Sequence, residues 1–181
     1  MPTKSALNHR TYHGESGGIS ILDADGSLAP AAQAILKAMV QSDCILSTGH
    51  LSPREAVVLI HQARQCGVRK VLVTHPEWAP TFYSLEQQKE LAQLGNVWFE
   101  RCFVSTTHLC GCVPFQVIEQ AIVGAGVETT VLSTDLGQPQ TPPPAEGLRL
   151  YAERLRSSGF SVEHIRQMIC TNPARLLSLE E

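Results

Sequence analysis

The stretch Asp43–Glu77, DCILSTGHLSPREAVVLIHQARQCGVRKVLVTHPE, decides how the chain folds. DCILST (43–48) is a short apolar run without polar alternation, the pattern of a strand buried in a parallel sheet. PREAVVLIHQARQCG (53–67) then sets Ala56, Leu59, Ile60 and Ala63 on one stripe at helical spacing. Ser52 suits the N-cap, Pro53 the first turn and Glu55 the closing position of a capping box, and Gly67 supplies a left-handed stop. RKVLVTH (69–75) returns as a second strand. Strand, helix and strand in this order are joined by a crossover, which requires parallel pairing.

The cycle continues to the C-terminus. SLEQQKELAQLG (84–95) is a helix with a Ser84/Gln87 capping box and a Gly95 stop, and NVWFERCFV (96–104) is a strand. PFQVIEQAIVGAG (114–126) is a helix and ETTVLSTD (128–135) a strand. The tail from Pro142 gives further helices with N-caps expected at Ser161 and Thr171. Ahead of the first unit, GGISILDADGSLAP reads as a short strand, a turn at Asp25-Gly26 and a helix from Pro30. The fold class is therefore α/β, a parallel sheet with covering helices. Residues 1–18 read as an N-terminal arm and 19–181 as one domain.

Composition narrows the function classes. The 181 residues are 43% apolar and 17% charged, with a formal net charge of −3. That is enough chain for one well-buried core, and no basic face invites nucleic acid. The apolar runs are shorter than the roughly 20 residues a membrane span needs, and MPTKSALNHRTYHGESGG lacks the apolar region of a secretory signal. Six scattered cysteines without an export signal read as free thiols in the cytoplasm.

In parallel α/β folds, functional groups collect at the carboxyl ends of the strands. His50, His75 and Asp135 each stand at such an end, and Glu100 falls on the strand between; His50, His75 and Glu100 are spaced by 25 residues. Two neutral imidazoles and a carboxylate are a reasonable set for zinc or iron, with positions left for water. Asp135 could ligate the metal, take a proton from water, or do both. Each residue also has a plainer reading: a histidine hydrogen-bonding loop backbone, or an aspartate at a turn. Alternation puts Trp98, Glu100 and Cys102 on one face and Phe99, Arg101 and Phe103 on the other.

Other local signals are weaker. His108, Cys110 and Cys112 are good zinc donors, but Cys-x-Cys is not the usual structural spacing and no second pair exists; His108 instead reads as a border of the main pocket. DADG (23–26) mimics the start of a calcium loop, yet its twelfth position is Ala34, so it is a turn. Gly-rich phosphate loops and Gly-x-Ser-x-Gly elbows are missing from the sequence.

TGHLS, VTHPE, LSTDLGQ and the closing ICTNPARLLSL together resemble the second half of an amidohydrolase-superfamily (β/α)8 barrel. The resemblance runs from about residue 19 to the end. It implies a partial TIM-barrel-like domain and a metal-dependent hydrolase acting on a small molecule through a metal-activated water. His50, His75 and Asp135 would bind the divalent metal, zinc first, with manganese or iron as alternatives, and Asp135 would be the catalytic residue. Glu100 and His108 would line the pocket. The family's opening His-x-His pair is missing, and MPTKSALNHR resembles the exit of a fourth strand, which makes Lys4, His9 and His13 further pocket candidates. A half barrel leaves two sheet edges and an apolar inner face unpaired. The expectation is a homo-oligomer or a separately supplied N-terminal half; the alternative is a truncated, catalytically inactive relative serving as an oligomeric binding or structural domain.

Overall fold

A computed structural model describes residues 1–179. Its centre is a four-stranded parallel sheet in the order β1 (Ile45–Ser47), β2 (Lys70–Thr74), β3 (Val97–Cys102) and β4 (Thr130–Ser133). Leu46 pairs with Val71, Val71 with Val97, Phe99 with Thr130 and Arg101 with Leu132. Register and alternation put Leu46, Val71, Val73, Val97, Phe99, Arg101, Thr130 and Leu132 on one face, and Ser47, Leu72, Thr74, Trp98, Glu100, Cys102, Val131 and Ser133 on the other.

All the crossing helices cover the first face. They are α3 (Pro53–Cys66), α4 (Leu85–Gln93) and α5 (Phe115–Ala125), preceded by α1 (Leu7–Tyr12) and α2 (Pro30–Val40). Leu59, Ile60 and Ala63 of α3 and Leu91 of α4 pack with Leu46, Val71, Val73, Val97 and Phe99. Ile118 and Ile122 of α5 join Leu132, Tyr151 and Leu155 in a second cluster. Each fully buried leucine or isoleucine contributes about 1.5–3 kcal/mol relative to exposure. The second face is mixed rather than uniformly apolar, because Ser47, Thr74, Glu100, Cys102 and Ser133 run across it. Ser47 Oγ lies 2.8 Å from Thr74 Oγ1 and Cys102 Sγ 3.0 Å from Ser133 Oγ.

The expected caps form where a side chain can reach the first free N–H groups. Ser52 accepts from the Glu55 N–H while Glu55 reaches back to Ser52, and Gly67 ends α3 at φ 92°. The Glu55 carboxylate also accepts from the Ile21 N–H at 3.2 Å, fastening residues 19–28 to α3. Ser84 and Gln87 form the second capping box. The stretch before α2 makes isolated bridges, Ala6 with Ile19 and Leu22 with Leu28, in place of a strand.

The tail comprises α6 (Pro144–Ser157), α7 (Val162–Arg166) and α8 (Asn172–Leu176). Ser161 caps α7 through the His164 N–H at 3.1 Å. Thr171 does not cap α8. The chain stays helical from α7 through a wide π-type turn, Gln167–Thr171, so Thr171 is itself helical and its side chain makes no cap. Asn172 donates to the Val127 and Thr130 carbonyls at 2.7 and 2.6 Å and ties the tail to the base of β4.

One charged pair lies inside the helical layer. Arg101 is completely buried and bonds to the carboxylate of Glu77, to Gln88 Oε1 at 2.8 Å, to the Ala121 carbonyl at 3.2 Å and to Thr130 Oγ1 at 3.3 Å. Glu77 is two residues beyond His75, so the pair anchors the loop that leaves β2 from behind the sheet. Among the described residues no helix is long and apolar enough to cross a membrane.

Candidate functional site

Three strands leave the sheet through a left-handed residue: Gly49 after β1 (φ 61°), His75 after β2 (φ 51°) and Asp135 after β4 (φ 51°). Such backbone is rare for residues with a Cβ, and its concentration at one rim is a mark of a functional surface. At Gly49 the glycine is required, since a Cβ would stand 2.5 Å from the Pro2 carbonyl oxygen. That carbonyl accepts from the His50 N–H at 3.0 Å, and the Met1 amine donates to the Ser47 carbonyl at 3.0 Å. Residues 1–2 therefore run beside the end of β1 and fix the turn that delivers His50.

α1 is then laid across the rim. No residue of this helix is buried, so polar clasps hold it: Asn8 donates to the His50 carbonyl at 3.1 Å and to the Pro80 carbonyl at 2.7 Å. This brings the His9 ring onto His50, with the two Nδ1 atoms 3.0 Å apart and centroids at 4.8 Å. One Nδ1 must donate and the other accept, which leaves Nε2 of His50 free for another partner. His13 stacks behind His9 at 4.6 Å. On the other flank the His75 ring centroid is 5.6 Å from His50, and His75 Nε2 is 3.6 Å from Asp135 Oδ2.

Burial governs the charge states. His50 and His75 are both held down to about 4, principally because their rings are desolvated; at His50 the neighbouring His75 and His9 add to the effect. Both rings are neutral at pH 7, with lone pairs available. Burial raises Asp135, which the His50 ring partly offsets. Glu100 lies beneath, on the inner face, and is also raised, first by burial; the Ser133 and Thr74 hydroxyls pull it back, and the Asp135 charge raises it further.

His75 is the anomalous member. Its ring is buried, its Nδ1 has no hydrogen-bond partner, and its Nε2 is farther from Asp135 than a hydrogen bond allows. A buried polar atom left unpaired costs about 1–3 kcal/mol. Neighbouring ligands on a tetrahedral zinc with bonds of about 2.0–2.1 Å lie about 3.3 Å apart. The His75 Nε2–Asp135 Oδ2 gap of 3.6 Å is close to that spacing, whereas the 3.0 Å His9–His50 contact is a hydrogen bond between imidazoles. The donor types, neutral imidazole and carboxylate, are those a divalent ion takes. Among the described residues, however, no three such side chains converge on a single ion position.

The structure brings His50, His75, Asp135, His9 and His13 to one rim, with Glu100 below it. The exposed Lys4 is close enough for its charge to act on both His9 and His50. His108 lies exposed in the turn His108–Cys110, outside the ring cluster; Cys110, two residues on, is the residue of that turn that feels the Asp135 charge. Trp78 is the member sequence reasoning missed. Its ring stands 5.1 Å from His50 and 5.7 Å from both His75 and His9. Asn8 and the Glu77–Arg101 anchor were missed as well. An arginine on the helix-facing side of an apolar strand was the available signal, because such a charge must find a buried acid.

Fold and site together define an α/β protein with a cluster of imidazoles and carboxylates at the carboxyl ends of a parallel sheet. Residues 1–100, more than half of the chain, match the sequence profile of a family described as a family of unknown function (DUF6282), and the protein belongs to that family. No curated protein and no solved structure matches the chain.

Proposed function

We propose that this protein is a metal-dependent hydrolase of the amidohydrolase-like type, acting on a small molecule with an amide, ester or phosphoester bond. The observation that carries the reading is His75: a buried, neutral imidazole whose Nδ1 has no partner, with Nε2 facing a carboxylate and a second neutral imidazole on its flank. The sequential strand order with helices on one face supports a partial (β/α)8 barrel. His50, His75 and Asp135 hold the ion, and His9 orients His50 through the Nδ1 contact. A bound zinc, manganese or iron lowers the pKa of coordinated water toward ~7 and supplies a nucleophile at neutral pH. Asp135, at the same rim, would serve as the group that accepts a proton from water and donates it to a leaving group. Glu100, whose carboxyl is raised by burial, lies under the rim as a further pocket residue.

The second reading is a catalytically inactive relative that serves as an oligomeric binding or structural domain. The lack of three converging ligands among the described residues favours it. Metal analysis of protein purified without chelator separates the two. One zinc per chain, lost in both His50→Ala and Asp135→Ala and bound about 10–100-fold more weakly in His9→Ala, supports the hydrolase. Metal-free protein that takes up no zinc supports the inactive domain. Among the described residues the end strands β1 and β4 have no strand partner on their outer sides. Self-association, or pairing with a separate N-terminal half, is therefore part of the proposal, and a monomer by sedimentation across a wide concentration range counts against self-association. A cytoplasmic location is likewise proposed, supported by six unpaired cysteines.

A further inference from the structure

The structure assigns a second ligand site at the amino ends of the strands, a cavity that takes a phosphate-type oxyanion between Arg69 and Lys70. It lies at the opposite end of the sheet from the histidine rim and does not depend on the hydrolase reading.

The site is assembled where three strands begin. Asp43 precedes β1, Lys70 opens β2 and Asn96 comes just before β3, while Arg175 of α8 and Ser178 close the space from the tail. With Arg69 and Trp98 these residues line a cavity of about 480 Å³, within the range of small-molecule pockets. The register puts Lys70 on the same sheet face as Leu72 and Trp98, the face opposite the crossing helices. The lysine therefore enters the cavity and not the helical layer.

Charge in the cavity is uneven. The Lys70 side chain is only 10% exposed, and its Nζ donates to Asp43 Oδ2 at 2.6 Å and to the Ser178 hydroxyl. Arg69 reaches Oδ1 of the same carboxylate at 3.2 Å. One anion thus serves two cations, an excess of one positive charge before Arg175 is counted. Those contacts use two of the three N–H donors of Lys70, and the Asp43 pair uses one of the five on Arg69. The Ser178 hydroxyl is itself committed to Asp43 Oδ2 at 2.8 Å. A buried ammonium that shares its only carboxylate among these contacts is the group an incoming anion completes. Asn96 (φ 51°) and Ser178 (φ 55°) hold left-handed backbone here, as His75 and Asp135 do at the rim. A tetrahedral oxyanion, with several acceptor oxygens, matches an ammonium and a guanidinium fork set on one carboxylate.

The chain's two tryptophans stand at opposite ends of the sheet: Trp98 lines this cavity and Trp78 touches the rim histidines. Trp98 emission is followed in Trp78→Phe protein titrated with inorganic phosphate and, separately, glycerol phosphate, at an ionic strength held constant with sodium chloride. A saturable change is expected with both, and the tighter probe tells a free ion from a phosphate ester. Arg69→Gln should weaken binding about fivefold or more; that side chain is 64% exposed, so the variant does not risk the fold. Asp43→Asn removes the competing negative charge, keeps an oxygen for Lys70 and Ser178, and should tighten binding about threefold or more. Arg69→Gln decides alone should Asp43→Asn fail to fold. A purely structural ion-pair cluster gives no saturable response beyond that of chloride, and that result overturns the inference. Affinity unchanged in Arg69→Gln, affinity that falls in Asp43→Asn, or a response seen only through Trp78 in Trp98→Phe protein overturns it too.

Discussion

Replacing Glu77 with alanine tests the claim that the rim is held from behind the sheet. Arg101 has no exposed surface, and Glu77 is its only anionic partner among the described contacts; what remains after the substitution is Gln88, a carbonyl and a hydroxyl. Breaking a buried pair by removing one partner costs about 3–5 kcal/mol, because the remaining charge stays desolvated. For a chain of this length each kcal/mol moves Tm by about 2–4 °C, so Glu77→Ala should melt roughly 6–20 °C below the parent. The double variant Glu77→Leu/Arg101→Met removes both charges and should recover most of that loss, since a buried pair replaced by apolar groups is often neutral or stabilising. Thermal melts and urea titrations of the parent, Glu77→Leu, Arg101→Met and the double variant measure the coupling directly. The loop carrying His75 and Trp78 should loosen in Glu77→Ala, seen as faster proteolysis there. A loss below about 1 kcal/mol in Glu77→Ala, or a double variant no better than the worse single one, refutes the anchoring argument.

Acid should weaken the fold through the rim histidines. His50 and His75 sit at about 4 when folded against 6.5 for an ordinary imidazole, so the unfolded chain binds protons first as pH falls. Stability therefore declines from pH 6.5 toward 4, and above that window the two rings add no pH slope. The urea midpoint should be lower at pH 5.5 than at pH 7.5, and His75→Gln should flatten part of the difference; equal midpoints in the parent count against neutral buried rings. Gly49→Ala forces a Cβ into a left-handed position and toward the Pro2 carbonyl at 2.5 Å. It should cost more than about 1 kcal/mol and free the N-terminal residues for exchange, whereas unchanged amide protection at His50 contradicts the seating of Pro2 on that turn.

The repeating unit was legible because its signals are local. Ser52, Glu55 and Gly67 bound one helix, Ser84 and Gln87 start another, and the apolar stripe of α3 is the surface it buries. The placing of His50, His75 and Asp135 at one rim followed from the same logic, since parallel strands end on the same side. What sequence could not disclose depends on contacts between distant segments. Asn8 lies 42 residues from His50 and 72 from Pro80, and nothing in LNHRTY announces that it will clasp both. Trp78 reads as a loop residue until the loop folds back over the imidazoles. Thr171 has the chemistry of a cap, but the helix runs through it because the π turn carries Asn172 to the base of β4.

At two of the rim's three exits the candidate ligand is also the pivot. His75 and Asp135 occupy backbone that glycine would adopt with ease, and each keeps a side chain there. The exchange that would relax either corner is the one that deletes the imidazole or the carboxylate.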